Sequence, residues 1–181
     1  MRLSLDAYLD KTRIPLKIDI STGDVITPCE ISFSYQLMFE NRTIPLLAYP
    51  PETVLAEKLE TILSRGEANT RLRDFYDVYI LQREDFVVTP DALCHALLAT
   101  CRKRGHEDLL HTYASILDRV RQSDTMRTQW MKYQSDFDYA AGITWDTVLD
   151  TVETLCMKTL DDHAFGDELP QEESQFKMHL L

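Results

Sequence analysis

One stretch of the sequence, residues 55–81, places charged side chains among apolar ones at spacings that could support chemistry. The charged residues that matter occur in the order Lys58, Arg65, Arg71, Arg73, Asp74 and Asp77. Lysine and arginine donors bind phosphate oxygens, and a carboxylate beside a lysine can hold its ammonium group in place. Such a set indicates a phosphate-binding site if the fold brings its members together.

Lys58 and Arg65 lie seven residues apart in a segment with helical periodicity. At about 100° per residue, both cations fall inside the apolar stripe that Leu55, Leu59 and Ile62 form. Two interpretations stay open. Either both side chains run along the edge of the stripe with their heads in water, or they form a cationic pair that points into a cleft and meets phosphate oxygens.

Asp74 and Asp77 belong to a second helical segment that is apolar nearly all round. A charge buried on such a helix needs a partner. In a structural interpretation Arg73 pairs with Asp77 along the helix, or an aspartate bridges to Lys58 or to Arg65. In a functional interpretation one of the aspartates orients a catalytic or phosphate-binding lysine, so we expect both helices to face one cleft beside the sheet.

Asp19 raises a similar question in an earlier segment, where Ile14, Leu16 and Ile18 alternate with polar residues. The alternation predicts a half-buried strand with Asp19 on the face opposite the isoleucines. There it is either a solvent-facing acid or a carboxylate that lines a site above the sheet, as metal-dependent phosphoryl chemistry requires.

The elements that must position these residues are a few strands followed by helices, which predicts an α+β fold. We expect about three strands, in residues 14–22, 30–39 and 44–49. About five helices should follow. The first spans 51–65 with Gly66 as its stop, the second is capped by Thr70, and a later one ends before Gly105. This divides the chain into a partial sheet (1–50), a helical region (51–162) and a mobile acidic tail (163–181).

Composition limits the function classes. The net charge of −11 argues against a broadly basic nucleic-acid surface, although a local basic site remains compatible with it. The apolar runs are too short to span a bilayer, and the four cysteines have no zinc-site spacing. We therefore predict a reducing, cytoplasmic location and no membrane partner.

The stretch AYPPETVLAEKLETILSRGEANTRLRDFYDVYIL, residues 48–81, resembles the signature of the AbiEii/AbiGii-type nucleotidyltransferases, toxins of bacterial abortive-infection and type IV toxin–antitoxin systems. The family pattern runs Lys-Leu, then an arginine seven residues after the lysine, then R-x-K-D-x-x-D. Lys58, Arg65 and the run from Arg71 to Asp77 match it in order, with Arg73 where the family has lysine. The resemblance covers about residues 14–105.

The resemblance implies metal-dependent transfer of a nucleotide from an NTP to an RNA or protein acceptor. It implies catalytic roles for Lys58, Asp77, Asp74 and Asp19, nucleotide binding by Lys58, Arg65, Arg71 and Arg73, and Asp19 as a metal ligand. The sheet is then the remnant of a nucleotidyltransferase-fold mixed sheet, ahead of a helical bundle.

One part of the family pattern is absent. Family members begin with a Gly-Ser motif and a D-x-D pair that holds a divalent metal, and neither occurs before Asp19. We therefore expect the chain to correspond to the C-terminal two-thirds of a family member, to be incomplete or inactive alone, and to use Mg²⁺ only with a full site. The alternative is a non-catalytic remnant that binds nucleotide or an antitoxin partner.

Overall fold

The structure is a computed structural model that describes residues 1–83 and 88–161. In this part of the chain four strands precede six α-helices, which confirms the α+β class. The strands are β1 (Arg2–Leu9), β2 (Thr12–Asp19), β3 (Ile31–Gln36) and β4 (Thr43–Ala48). The helices are α1 (Pro51–Arg65), α2 (Leu72–Leu81), α3 (Pro90–Arg104), α4 (Leu109–Gln122), α5 (Asp124–Asp136) and α6 (Trp145–Leu160). The tail predicted for 163–181 lies outside the described residues.

The strands form two separate antiparallel hairpins, β1–β2 and β3–β4, and not the single sheet of about three strands that we expected. The first strand was missed by the sequence interpretation, although Leu3, Leu5 and Ala7 alternate with polar residues there. A tight turn at Asp10, with φ of +51°, joins it to β2.

The β1–β2 hairpin is amphipathic, with apolar cross-strand pairs on one face. Leu3 lies opposite Ile18 and Leu5 opposite Leu16. These four side chains are 42–48% exposed, more than a half-buried strand predicts, and no described residue before Pro51 belongs to the helical core. Among the described residues, one buried side chain forms hydrogen bonds between residues 1–50 and the helices. It is Thr53, whose Oγ1 accepts from the Thr27 N–H at 2.9 Å.

The helical core is built around α1, which packs against α2, α3 and α4, while α6 closes the other side of α2, α3 and α4. Leu55, Leu59 and Ile62 are fully buried, as their periodicity predicts. The predicted bounds of α1 are confirmed: Pro51 stands in its first turn and Gly66, with φ of +49°, ends it. Among the described helices none is long and apolar enough to cross a membrane.

The start of α2 differs from the expectation. The helix begins at Leu72 after Arg71, and Thr70 does not cap it. The helix start has no side-chain cap, and the fully buried Asn69 orders the turn before it, since its Oδ1 accepts the Arg71 N–H at 2.7 Å. This contact fixes the turn that presents Arg71 and the first turn of α2.

Candidate functional site

Lys58, Asp74 and Asp77 meet where α1 packs against α2. Lys58 Nζ donates to Asp77 Oδ2 at 2.5 Å and to Asp74 Oδ1 at 3.4 Å. The side chains of Lys58, Asp74 and Asp77 are 19%, 5% and 23% exposed. The ammonium group is therefore held between two carboxylates in a mostly dehydrated position, where electrostatic interactions are stronger than in water.

Two arginines flank this group from the start of α2. Arg71 Nε lies 3.1 Å from Asp74 Oδ2, and Arg73 Nε lies 3.7 Å from Asp77 Oδ2. Both side chains are more than half exposed. Because both guanidinium groups are mostly exposed, each can present further N–H donors to an incoming anion.

These residues line an open cleft of about 740 Å³, a volume within the roughly 300–1,000 Å³ of small-molecule sites. One wall comes from Lys58, residues 70–74 and Asp77; the other comes from α5 and the residue after it, with Gln129, Lys132, Tyr133, Asp136 and Phe137. No described strand residue lines it, so the expectation of a cleft beside the sheet is wrong. The cleft lies between helices because the hairpins stand apart from the helical core.

The cleft is more positive than the protein around it. Four cations and three carboxylates line it, whereas the whole chain carries −11. The four cations exceed the three carboxylates by one charge, and Arg71, Arg73 and Lys132 can add N–H donors for an anion. The arrangement can bind a phosphate group at the end of the cleft where α1 meets α2.

Two of the sequence-predicted residues lie elsewhere. Arg65 is exposed in the last turn of α1 and does not line the cleft. Asp19 lies on β2, where Arg2 bonds both of its oxygens, Nε to Oδ1 at 2.5 Å and Nη2 to Oδ2 at 2.8 Å. That hydrogen-bonded guanidinium lowers the pKa of the Asp19 carboxyl. The structure thus brings together Lys58, Arg71, Arg73, Asp74 and Asp77, and not Arg65 or Asp19.

The carboxylates of the cleft do not fit a magnesium site by themselves. Mg²⁺ needs carboxylate oxygens that are free to coordinate it, while Asp74 and Asp77 both bond Lys58. Across residues 1–83 and 88–161 no group of three or more His, Cys, Asp or Glu side chains is placed to hold a metal ion. The predicted metal role of Asp19 stays a prediction.

The second wall of the cleft, here called the α5 wall, was missed by the sequence interpretation. It consists of Gln129, Lys132, Tyr133, Asp136 and Phe137. Gln129, Lys132, Tyr133 and Asp136 follow the spacing i, i+3, i+4 and i+7, which puts them on one helix face. That polar stripe is the signal that could have identified them. Their contact with α2 could not be predicted from the spacing, because the 42 residues 82–123 separate the two helices.

Two aromatic residues of this wall, Tyr133 and Phe137, pack against each other, and Phe137 also packs against Tyr139. The Phe137 ring centroid lies 4.7 Å from that of Tyr133 and 5.3 Å from that of Tyr139. Tyr133 and Tyr139 share a hydrogen bond between their hydroxyl groups at 2.9 Å. Burial, followed by this hydrogen bond, raises the pKa of Tyr133, and burial raises that of Tyr76. These phenols therefore stay neutral at physiological pH.

Comparison with models of known protein families finds a match that covers most of the chain. A family model described as nucleotidyl transferase AbiEii toxin, type IV TA system, matches residues 1–151. The match extends beyond the 14–105 covered by the sequence resemblance and includes α5 as well as both hairpins. Neither the curated proteins nor the solved structures give a match to this chain.

Proposed function

Because the chain belongs to the AbiEii family of type IV toxin–antitoxin nucleotidyltransferases, we propose that the cleft between α2 and α5 binds the triphosphate of an NTP. The observation that carries the proposal is the Lys58 ammonium group held between Asp77 and Asp74 beside two exposed arginines. A triphosphate is the polyanion that such a set of donors fits.

In this proposal Arg71 and Arg73 bind the outer phosphates through their Nη atoms, and Lys58 lies against the phosphate that is transferred. Asp77, the nearer carboxylate, orients Lys58. A hydroxyl oxygen of the acceptor forms a bond to the α-phosphorus, the bond from that phosphorus to the bridging oxygen breaks, and pyrophosphate leaves with its electron pair. The hydroxyl proton passes to solvent. Lys58 stabilises the charge that develops on the phosphoryl oxygens.

Several parts of the sequence prediction stay predictions. Mg²⁺ is one of them, because Asp74 and Asp77 bond Lys58 and no metal-ligand set occurs in residues 1–83 and 88–161. The phosphate-binding role of Arg65 and the metal role of Asp19 depend on groups beyond those that line the cleft. An RNA or protein acceptor, a cytoplasmic location and an antitoxin partner also stay predictions, which the family and the composition support.

A second candidate function is metal-independent nucleotide binding without transfer. The observation that favours it is again the pairing of Asp74 and Asp77 with Lys58, which leaves the cleft cationic and, among the described residues, without a metal-ligand set. Such a chain would bind a nucleotide or present the site to an antitoxin. The two candidates differ in turnover and in their dependence on divalent metal.

The test uses the full chain with α-labelled NTPs, an RNA and protein acceptor mixture, and Mg²⁺ or EDTA. Transfer by the wild type that Lys58→Met lowers by about 10²–10³-fold supports the proposed function. Arg102→Met is the matched control, because Arg102 is exposed on α3 and does not line the cleft. Binding in EDTA without transfer supports the second candidate, and equal NTP binding by wild type and Lys58→Met contradicts both.

A further inference from the structure

The α5 wall has chemistry that triphosphate binding does not use. Three residues of this wall are neither cationic nor acidic: Gln129, Tyr133 and Phe137. They line the cleft opposite Lys58, Asp74 and Asp77. Phosphate binding requires hydrogen-bond donors and positive charge. Apart from Lys132 and Asp136, the wall instead offers apolar ring surface and one amide group. A ligand that filled the whole cleft would need a planar or apolar part beside its anionic part.

Phe137 provides a supported aromatic surface. Its ring rests on Tyr133, which is 9% exposed, and on Tyr139, with centroids 4.7 and 5.3 Å away. Phe137 itself is 42% exposed and lines the cleft. Rings packed behind it fix its orientation, and the exposed part can stack on another planar ring. Aromatic side chains stack on nucleobases in this way.

Gln129 provides an unsatisfied acceptor in the same wall. Its Oε1 atom is buried and has no hydrogen-bond partner within the described residues. A buried polar atom without a partner is unfavourable, so a ligand N–H that reached it would gain the full hydrogen bond. Nucleobases present N–H groups on their edges, and the glutamine amide can pair with such an edge through both of its polar atoms.

We propose that the α5 wall is the nucleobase subsite of the cleft, where Phe137 stacks on the base and Gln129 hydrogen-bonds to its edge. This inference rests on the proposed function, since it places the base of the same nucleotide whose phosphates lie on Lys58, Arg71 and Arg73. Gln129 is then a specificity-determining residue, and Phe137 supplies affinity for any base.

The experiment compares the four NTPs with inorganic tripolyphosphate, which carries the anion without a base, by calorimetric titration of the full chain. The variants are Phe137→Leu, which keeps apolar volume but removes the ring, and Gln129→Met, which removes the amide. Phe33→Leu is the matched control, since it makes the same change at a ring that is 50% exposed on β3 and does not line the cleft. Circular dichroism confirms that each variant is folded.

Phe137→Leu is expected to weaken NTP binding about five- to hundredfold and to leave tripolyphosphate binding within about twofold. Gln129→Met should reduce the differences in affinity among the four NTPs. Equal weakening of NTP and tripolyphosphate, no weakening at all, or an equal effect of Phe33→Leu would overturn the subsite. So would an effect of Phe137→Leu confined to a single-stranded oligoribonucleotide, since the stacked base would then come from the acceptor.

The proposed function fails in a different way. Tripolyphosphate binding that Lys58→Met leaves unchanged would overturn the phosphate site, while a base-dependent effect of Phe137→Leu would still support the subsite. Tripolyphosphate binding that requires Lys58, together with NTP affinity that Phe137→Leu leaves unchanged, would retain the phosphate site and overturn the subsite. Wild-type protein that binds neither ligand would overturn both.

Discussion

The Nζ atom of Lys58 lies 2.5 Å from Oδ2 of Asp77, so the two helices that carry the candidate site are also joined by it. Lys58 comes from α1 and Asp77 from α2, and the same ammonium group bonds Asp74. The structural and the functional interpretations of these charges therefore describe one arrangement. A lysine that bridges the helices is also held where a phosphate can reach it.

The Lys58 bridge leads to a stability prediction. Lys58→Met should lower the free energy of unfolding by about 2–3 kcal/mol. The reason is that Asp74, 5% exposed, would stay buried with only the solvent-facing Arg71 as a cationic partner. Urea unfolding followed by circular dichroism measures the loss. Lys58→Met combined with Asp74→Asn should recover part of it, because no uncompensated buried carboxylate then remains; strictly additive losses would contradict the coupling.

A second buried carboxylate, Glu60, joins α1 to the end of α3. Glu60 is 2% exposed, Arg104 Nη1 donates to its Oε2, and His106 Nδ1 lies 2.6 Å from its Oε1. We expect Arg104→Met to lower the free energy of unfolding by about 3 kcal/mol, since removal of one partner leaves a buried charge with less compensation. Arg102→Met, on the exposed side of the same helix, should change it by no more than about 0.5 kcal/mol. Equal effects of the two variants in urea unfolding would show that the Glu60 contact contributes little.

One substitution made in two places tests the separation of the hairpins from the helical core. Leu59→Ala should cost about 2–5 kcal/mol, because Leu59 is fully buried. Leu16→Ala should change the helical transition by no more than about 0.5 kcal/mol, because Leu16 is 42% exposed on the β1–β2 hairpin. The measurement is thermal unfolding at the helix wavelength of circular dichroism. A comparable cost for Leu16→Ala would mean that the hairpin and the helices unfold as one unit.

The burial of three of the four cysteines predicts that only the exposed one reacts with a thiol reagent in the folded protein. Cys29 is exposed, whereas Cys94, Cys101 and Cys156 are buried. Burial raises the pKa of Cys101 and of Cys156 to about 12, from a usual value of 9.0. Because the thiolate is the reactive form, a thiol reagent at pH 8 should modify one cysteine in the native protein and four after unfolding.

The same raised pKa values set the direction of the stability change with pH. Between pH 9 and 12 the unfolded chain loses thiol protons that the folded chain retains, so stability falls as the pH rises through this range. Cys101→Ala and Cys156→Ala together should flatten this slope above pH 9. Modification of all four cysteines at pH 8 without unfolding would contradict the burial on which the prediction rests.

Helix ends that depend on a single proline or glycine could be predicted from the sequence. The bounds of α1 follow from Pro51 and Gly66, and the end of α3 follows from Gly105 in the left-handed conformation. The apolar stripe of α1 correctly predicted its buried face. Lys58 could be singled out because a cation inside such a stripe needs a partner.

Features that depend on pairing across the chain could not be predicted in the same way. The α5 wall reaches the cleft only through tertiary packing, and two hairpins cannot be told from one sheet by alternation within each strand. The predicted Thr70 cap of α2 is absent, and the buried Asn69 instead accepts the Arg71 N–H in the turn before the helix. The alternating pattern of β1 was present in the sequence and was overlooked.

The amphipathic β1–β2 hairpin has a consequence for amide hydrogen exchange. In a two-stranded ribbon, half of the backbone N–H groups point away from the partner strand and face solvent, and an isolated ribbon is marginally stable. Its amides should therefore exchange through frequent local opening, while those of α1 and α6 should exchange only when the helical core unfolds. The strands that bring Asp19 to Arg2 would open many times for each opening of the helices that hold Lys58 against Asp77. Any partner that covered Leu3, Leu5, Leu16 and Ile18 would be detectable as slowed exchange in the ribbon, with the helices unaffected.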